Sequence, residues 1–224
     1  MTGSIRNLFF ILSVVLTVGP GIVPEAHGVI TSNPLLPPDT GAYLSKQQIT
    51  TYTAPGLDII ATEHLFDPLA ATAVRTQVGA DELETFDSIF TADFNIFLAG
   101  STSVSSIGEL TGPASILTHQ KWDTTTGSFD SEILSMELAG QVEGISLLIR
   151  ESPSLLSLGQ TLISDIGGGL YSIESFFDVF TELSVDGGAT WIPANDSIRM
   201  VLVIPEPATI AILALGALMM SRKH

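Results

Sequence analysis

The sequence predicts an all-β protein: one antiparallel β-sandwich or jelly-roll-like domain over residues 42–204, set between an N-terminal signal peptide and a C-terminal membrane helix. Three observations carry that reading. Through the body of the chain, apolar and polar residues alternate in short runs, the period of a half-buried strand. Gly, Pro, Asp and Asn separate those runs at close intervals, as turns require. Continuous apolar stretches occur at the two ends, over 7–18 and 208–220.

At the N-terminus, residues 1–6 carry one cation, 7–18 are almost all apolar, and 19–28 hold two prolines and small residues. Those are the three regions of a secretory signal peptide. Ala26 and Gly28 are the small residues a signal peptidase inspects, so cleavage is expected after Gly28. The proline-bearing stretch 29–41, with Pro34, Pro37 and Pro38, reads as a linker.

Candidate strands then follow at 48–53, 58–63, 88–98, 114–120, 129–138, 144–151, 160–164, 169–184 and 197–204. Segment 68–77 is ambiguous. Asp67-Pro68 suits a helix start, yet Thr72, Val74 and Thr76 alternate as a strand would. Sheets apolar on one face must pack against another layer, which is the argument for a sandwich. One hairpin can be set out in register. If residues 140–143 turn, Leu138 opposes Ile145, Met136 opposes Leu147 and Leu134 opposes Ile149, all on one face. Glu137 then faces Ser146, and Ile133 faces Arg150.

The stretch 171–191 is the richest in the body. Tyr171, Ile173, Phe177, Val179, Leu183 and Val185 form an apolar face. Opposite them, Glu174, Phe176, Asp178 and Phe180 interleave carboxylates with aromatic rings. Rings that stack on sugar faces, beside acids that accept hydroxyl protons, make a glycan-binding platform. The plainer reading is a mid-sandwich strand with its second face half covered. Asp186-Gly187 is a two-residue hairpin signal. Ser184, Asp186, Gly188 and Trp191 also match the Ser-x-Asp-x-Gly-x-x-Trp pattern. In that spacing the chain resembles the Asp-box of sialidase-like propellers, where the box is structural. A propeller repeats the box, and here it occurs once.

The chain has 8 Lys and Arg against 24 Asp and Glu, and no Cys. Between residues 29 and 207 there are 5 cations and 23 carboxylates. Such a surface repels nucleic acid, and thiolate metal sites and disulfides are excluded. No nucleophile elbow, zinc-binding helix or phosphate loop is present, so no catalytic residue and no resident metal or cofactor is assigned. His64 and His119 stand alone in sequence, and a hydrogen-bonded structural role is expected for His64. Calcium is the one cofactor weighed: residues 81–87 and 123–130 cluster the oxygens a hard cation needs, and solvated acidic loops are the alternative.

At the C-terminus, Pro205-Glu206-Pro207 precedes the apolar run 208–220 and the cations Arg222 and Lys223. In this order, these parts resemble the PEP-CTERM sorting signal of exopolysaccharide-producing Gram-negative bacteria, a tail also catalogued as an ice-binding-protein C-terminal segment. The resemblance implies a membrane helix at 208–220, a cytoplasmic basic stop, and processing by exosortase, a membrane protease. The partners expected are therefore signal peptidase, an exosortase-like protease, the membrane and an extracellular polysaccharide. The function expected is that of an exported, non-enzymatic protein of the envelope or extracellular matrix. The rival is a secreted carbohydrate-active hydrolase using a carboxylate pair, either Glu132 with Glu137 or Glu174 with Asp178.

Overall fold

The computed structural model describes residues 28–45, 48–98 and 103–204. In chain order the strands are β1 (Val29–Thr31), β2 (Ala42–Leu44), β3 (Thr50–Ala54), β4 (Leu57–Pro68), β5 (Val74–Val78), β6 (Asp81–Leu98) and β7 (Val104–Thr118). There follow β8 (Gly127–Val142), β9 (Ile145–Glu151), β10 (Ser157–Gly167), β11 (Leu170–Val179), β12 (Thr181–Ser184), β13 (Ile192–Pro193) and β14 (Ile198–Val203). A 3-10 turn at Ala70–Thr72 separates β4 from β5.

Hydrogen-bonded neighbours run β11, β14, β2, β4, β6, β7, β8, β10 and back to β11, every pair antiparallel. That circuit is a closed eight-stranded barrel, which removes the edges an open sheet would expose. The long strands β4, β6, β7 and β8 continue past it. There β3 pairs β4, β9 pairs β8, β12 pairs β9 and β13 pairs β12. This second arc meets itself at the isolated bridge between Tyr52 and Ala194.

Two irregularities place the division. In β4, Thr62 faces Asp93 while Leu65 faces Thr91, so Glu63 and His64 together oppose one residue. Glu63 takes φ 52° to absorb the surplus. In β8, Ser135 faces Ser115 while Ile133 faces Ile116, leaving Leu134 as the extra residue. Each bulge resets the inward phase. Ile59 and Ala61 point inward before the first bulge, His64 and Phe66 after it. Ile133 points inward before the second, Met136 and Leu138 after it. Near these points β4 changes partner from β3 to β2, and β8 from β10 to β9.

β6 shows why the sequence makes a wall strand: Phe86, Phe90, Ala92, Phe94 and Ile96 alternate with polar residues, and all five are buried. An eight-stranded barrel is just wide enough for side chains to fill. What remains is an apolar cavity of about 30 Å³ bordered by Tyr43, Tyr52, Phe66, Phe90, Phe177 and Met200. That is room for a water or two, not for a ligand.

The structure corrects the sandwich to a barrel. Alternation reports that one face is buried, but not whether the facing layer belongs to the same sheet. The closing pairs, β8 with β10 and β10 with β11, leave no mark in the period. The membrane helix expected at 208–220 falls outside the described residues. Among the described residues the sole helical element is the turn at Ala70–Thr72, and none is long and apolar enough to cross a membrane. The segments 1–27 and 205–224, with Ala26, the Pro-Glu-Pro motif, 208–220, Arg222 and Lys223, lie outside the described residues.

Stretch 29–41 is no linker. It opens with β1, and Leu36, Pro37 and Pro38 are buried, with Arg75 Nε donating to the Leu36 carbonyl at 2.6 Å. The ambiguous segment 68–77 resolves into the 3-10 turn and β5. The β8–β9 hairpin turns at Glu143-Gly144, whose φ values of 49° and 81° suit a two-residue type I′ turn. Leu138 therefore opposes Ile149, four residues from the expected partner. Met136, Leu138, Leu147 and Ile149 keep the buried face because the shift is even, whereas Leu134, the surplus residue of the bulge, is exposed.

Close approach of β7 to β8 depends on glycine. A Cβ at Gly112 would stand 1.9 Å from the Glu137 carbonyl oxygen. Gly112→Ala should therefore cost about 3 kcal/mol or more in urea unfolding. Gly79→Ala, at φ 67° in open space, should cost only about 1–2 kcal/mol. Equal costs would contradict the packing described.

Candidate functional site: a notch in the outer wall

On one side β11 is covered by two strands laid end to end. β14 pairs it over Phe176–Val179, and β1 pairs it over Tyr171–Ile173. Glu174 and Ser175 fall between the two. A notch of about 210 Å³ opens there, bordered by Gly28, Gln160, Leu162, Glu174, Phe176 and Arg199. Strand parity supplies the lining. The odd positions Ile173, Phe177 and Val179 of β11 point into the barrel, so the even ones face out.

Of the four residues expected as a glycan face, Glu174 and Phe176 line the notch. Asp178 lies next to it and is engaged: Arg199 Nε and Nη2 donate to its two oxygens at 2.9 and 2.8 Å. The same guanidinium stands 4.0 Å from the centre of the Phe176 ring and holds it from one side. Phe180 sits apart, at the break between β11 and β12. There its N–H donates to Ser157 Oγ and its carbonyl accepts from the Ser152 N–H. Sequence reasoning missed Gln160, Leu162 and Arg199. Their signal was long-range register: Gln160 opposes Phe176, Leu162 opposes Glu174 and Arg199 opposes Asp178.

The hairpin after β12 is a seven-residue loop, not a two-residue turn, with Leu183 facing Ile192. Asp186 organises it, accepting from the Thr190 N–H at 2.9 Å, from the Thr190 hydroxyl, and from Ser184 Oγ at 2.8 Å. Those donors hold its carboxyl down at about 2. Gly188 is at φ 90°, with Trp191 beside it. The Arg150 guanidinium lies 4.0 Å from the Trp191 ring centre and pairs with Glu182 at 2.6 Å.

The barrel interior carries polar groups as well. His64 is buried, bonded to Ser45 at 2.7 Å through Nδ1 and to Thr50 at 3.2 Å through Nε2, and burial lowers its pKa to about 4. Tyr43, Ser175 and Thr161 form a chain of buried hydroxyls. Glu82 and Glu84 both point inward from β6 and are buried. Thr118 donates to Glu84 at 3.1 Å, and Glu82 Oε1 meets no donor among the described residues. Burial, then the neighbouring Glu82, pushes Glu84 up to about 8. At the end of β9, burial raises Glu151 to about 7, with Ser157 donating to it.

Strand alternation splits the acidic run proposed for calcium. Glu82 and Glu84 enter the barrel, while Asp81 bonds the Gln120 N–H at 2.8 Å and His119 at 3.1 Å. Among the described residues no group of three or more His, Asp or Glu side chains is placed to hold a metal. The nominated carboxylate pairs are also spread out. Four residues of strand separate Glu174 from Asp178 by roughly 13 Å, and five separate Glu132 from Glu137 by roughly 16 Å. Those are backbone separations along the strand, wider than the about 5–10 Å between carboxyl groups that glycoside hydrolysis uses. Comparison of the chain with protein-family models, curated proteins and solved structures gave no match.

His64 and Glu84, both buried, set opposite pH dependences. Between pH 6.5 and about 4, the unfolded chain binds a proton at His64 that the folded chain refuses, so stability falls as pH falls. His64's share of that loss is on the order of 3 kcal/mol, read in a Glu84→Gln background, where the opposing carboxyl is removed, from urea unfolding at pH 7 and pH 4. Glu84 acts the other way. The fold favours its neutral form, so stability declines as pH rises from 4.5 towards about 8. Glu84→Gln should flatten that alkaline decline, and an unchanged slope would count against the burial argument.

Proposed function

We infer that this chain is an exported, non-enzymatic barrel of the cell envelope or extracellular matrix, and that the outer-wall notch binds a sugar unit of an extracellular polysaccharide. One observation carries the reading. The interior is filled, whereas the notch sets an aromatic ring (Phe176) and an apolar side chain (Leu162) beside a carboxylate without an ion pair among the described residues (Glu174) and an amide (Gln160). Apolar surface takes the hydrophobic face of a sugar, while the carboxylate and amide take its hydroxyls. At about 210 Å³ the notch is smaller than the ~300–1,000 Å³ pockets that enclose drug-sized ligands. It suits one residue of a longer polymer held along the wall.

Delivery rests on the two ends of the sequence. The leader directs export and is removed by signal peptidase, and the Pro205-Glu206-Pro207 tail marks the chain for an exosortase-like protease. The acidic surface, with 5 cations against 23 carboxylates in residues 29–207, suits neutral or cationic glycans over acidic ones.

The test is binding of the purified protein to arrayed bacterial and plant polysaccharides. Phe176→Ala and Glu174→Gln should each weaken retention about tenfold, a loss of roughly 1.4 kcal/mol, without shifting the unfolding midpoint by more than a few degrees. Full retention by both variants would remove the notch from consideration, and release of reducing ends from any bound polymer would favour a hydrolase.

A further inference from the structure

Gly28 is unusually close to the notch floor. A Cβ built on it would lie 2.7 Å from Glu174 Cγ, 2.7 Å from Ser172 Oγ and 3.0 Å from the Ile173 carbonyl oxygen. Only a bare backbone fits there. The next residue, Val29, is fully buried in β1 and pairs with Ile173. By standard geometry the Val29 nitrogen is about 2.4 Å from the Gly28 Cα. The bond that the leader reading marks for cleavage therefore lies beside the Glu174 side chain, on the rim of the notch.

We propose that cleavage after Gly28 completes the binding notch, by freeing the α-ammonium of Val29 beside the Glu174 carboxylate and pairing the two. This rests on the reading of residues 1–28 as a cleaved leader. In the step itself, water adds across the Gly28–Val29 bond. The new carboxylate leaves on Gly28, and the amine stays on Val29, where it takes a proton. Export precedes folding, so the bond is cut before β1 is buried.

The charge balance favours the pairing. The charged groups bordering the notch are Glu174 from β11 and Arg199 from β14, and Arg199 is already satisfied by Asp178. β10 contributes the neutral Gln160, and β1 carries no charge. Glu174 is thus the one bordering charge that lacks an ion pair among the described residues. An ammonium brings three donors to it. The uncut chain sets a glycine backbone at the same place, on the border of the notch. Processing would replace that backbone with a charged donor able to meet a sugar hydroxyl.

The experiment uses two preparations that differ only at the start, both running to His224: one beginning at Val29 and one retaining His27 and Gly28. With valine labelled in ¹³C, the Val29 Cα shift is followed against pH. In the chain starting at Val29, the α-ammonium should titrate about one unit above the ordinary 7.7–8.0, and Glu174→Gln should return it to that range. Polysaccharide retention should be several-fold stronger for the Val29 form than for the His27 form. An ordinary titration in the unsubstituted Val29 form, or a shift that survives Glu174→Gln, would overturn the pairing. Intact-mass analysis of exported protein judges the leader reading separately: a mature start other than Val29 removes the processing step, whatever the titration shows.

Discussion

Each wall strand of the barrel must keep its apolar side turned inward along its whole length, and β4 and β8 meet that constraint by each carrying one surplus residue. In these two strands, of 12 and 16 residues, the change of neighbour on one side coincides with a break in phase. The extra residues at Glu63-His64 and at Leu134 take up that break. Before each bulge the strand belongs with one set of neighbours, and after it with another. Four long strands can thus be common to the closed circuit and to the arc of β3, β9, β12 and β13. The notch is a smaller case of the same geometry, for β14 and β1 share one flank of β11 and do not quite meet.

The bulge in β4 also explains the buried histidine. Without the reset, residue 64 would face solvent; with it, the imidazole enters a space where Ser45 and Thr50 await its two nitrogens. Burying a polar group is tolerable when its hydrogen bonds are met, and here both are. Glu82 and Glu84 are a different matter. They occupy inward positions of a strand whose later inward residues are mainly aromatic and aliphatic, and one carboxylate oxygen has no donor among the described residues. The interior is therefore electrostatically uneven, neutral around His64 and strained around the two acids.

Much of this was legible from one dimension. The all-β class, most strand positions, and the outward placement of Glu174 and Phe176 all follow from a period of two. The closure was not legible, because the ladder from β8 to β10 depends on which strands meet and not on what any one of them looks like. The hairpin between β8 and β9 was misplaced because Glu143-Gly144 is a less familiar turn pair than Asn-Gly or Asp-Gly. Gly140, which was assigned to the turn, is a strand residue pressed against the Glu109 carbonyl. Prolines 34, 37 and 38 suggested a tether, yet two of them are buried. Arg199 shows the limit for the site: nothing local in Ser-Ile-Arg-Met announces that its guanidinium will cover Phe176 and neutralise Asp178.

The order in which the wall is assembled carries a kinetic consequence. β6, β7 and β8 are consecutive hairpin partners, β4 joins β6 across the short β5, and the four can zip up locally. The strands that close the circuit, β10, β11 and β14, all lie beyond residue 156. Until they arrive, the four-stranded meander has an apolar inner face with no opposite wall, and free backbone groups along both outer strands. Sequence-distant pairings of this kind are slow to form and vulnerable to self-association while they wait. Loss of the last third of the chain would therefore leave an aggregation-prone open sheet, not a smaller barrel.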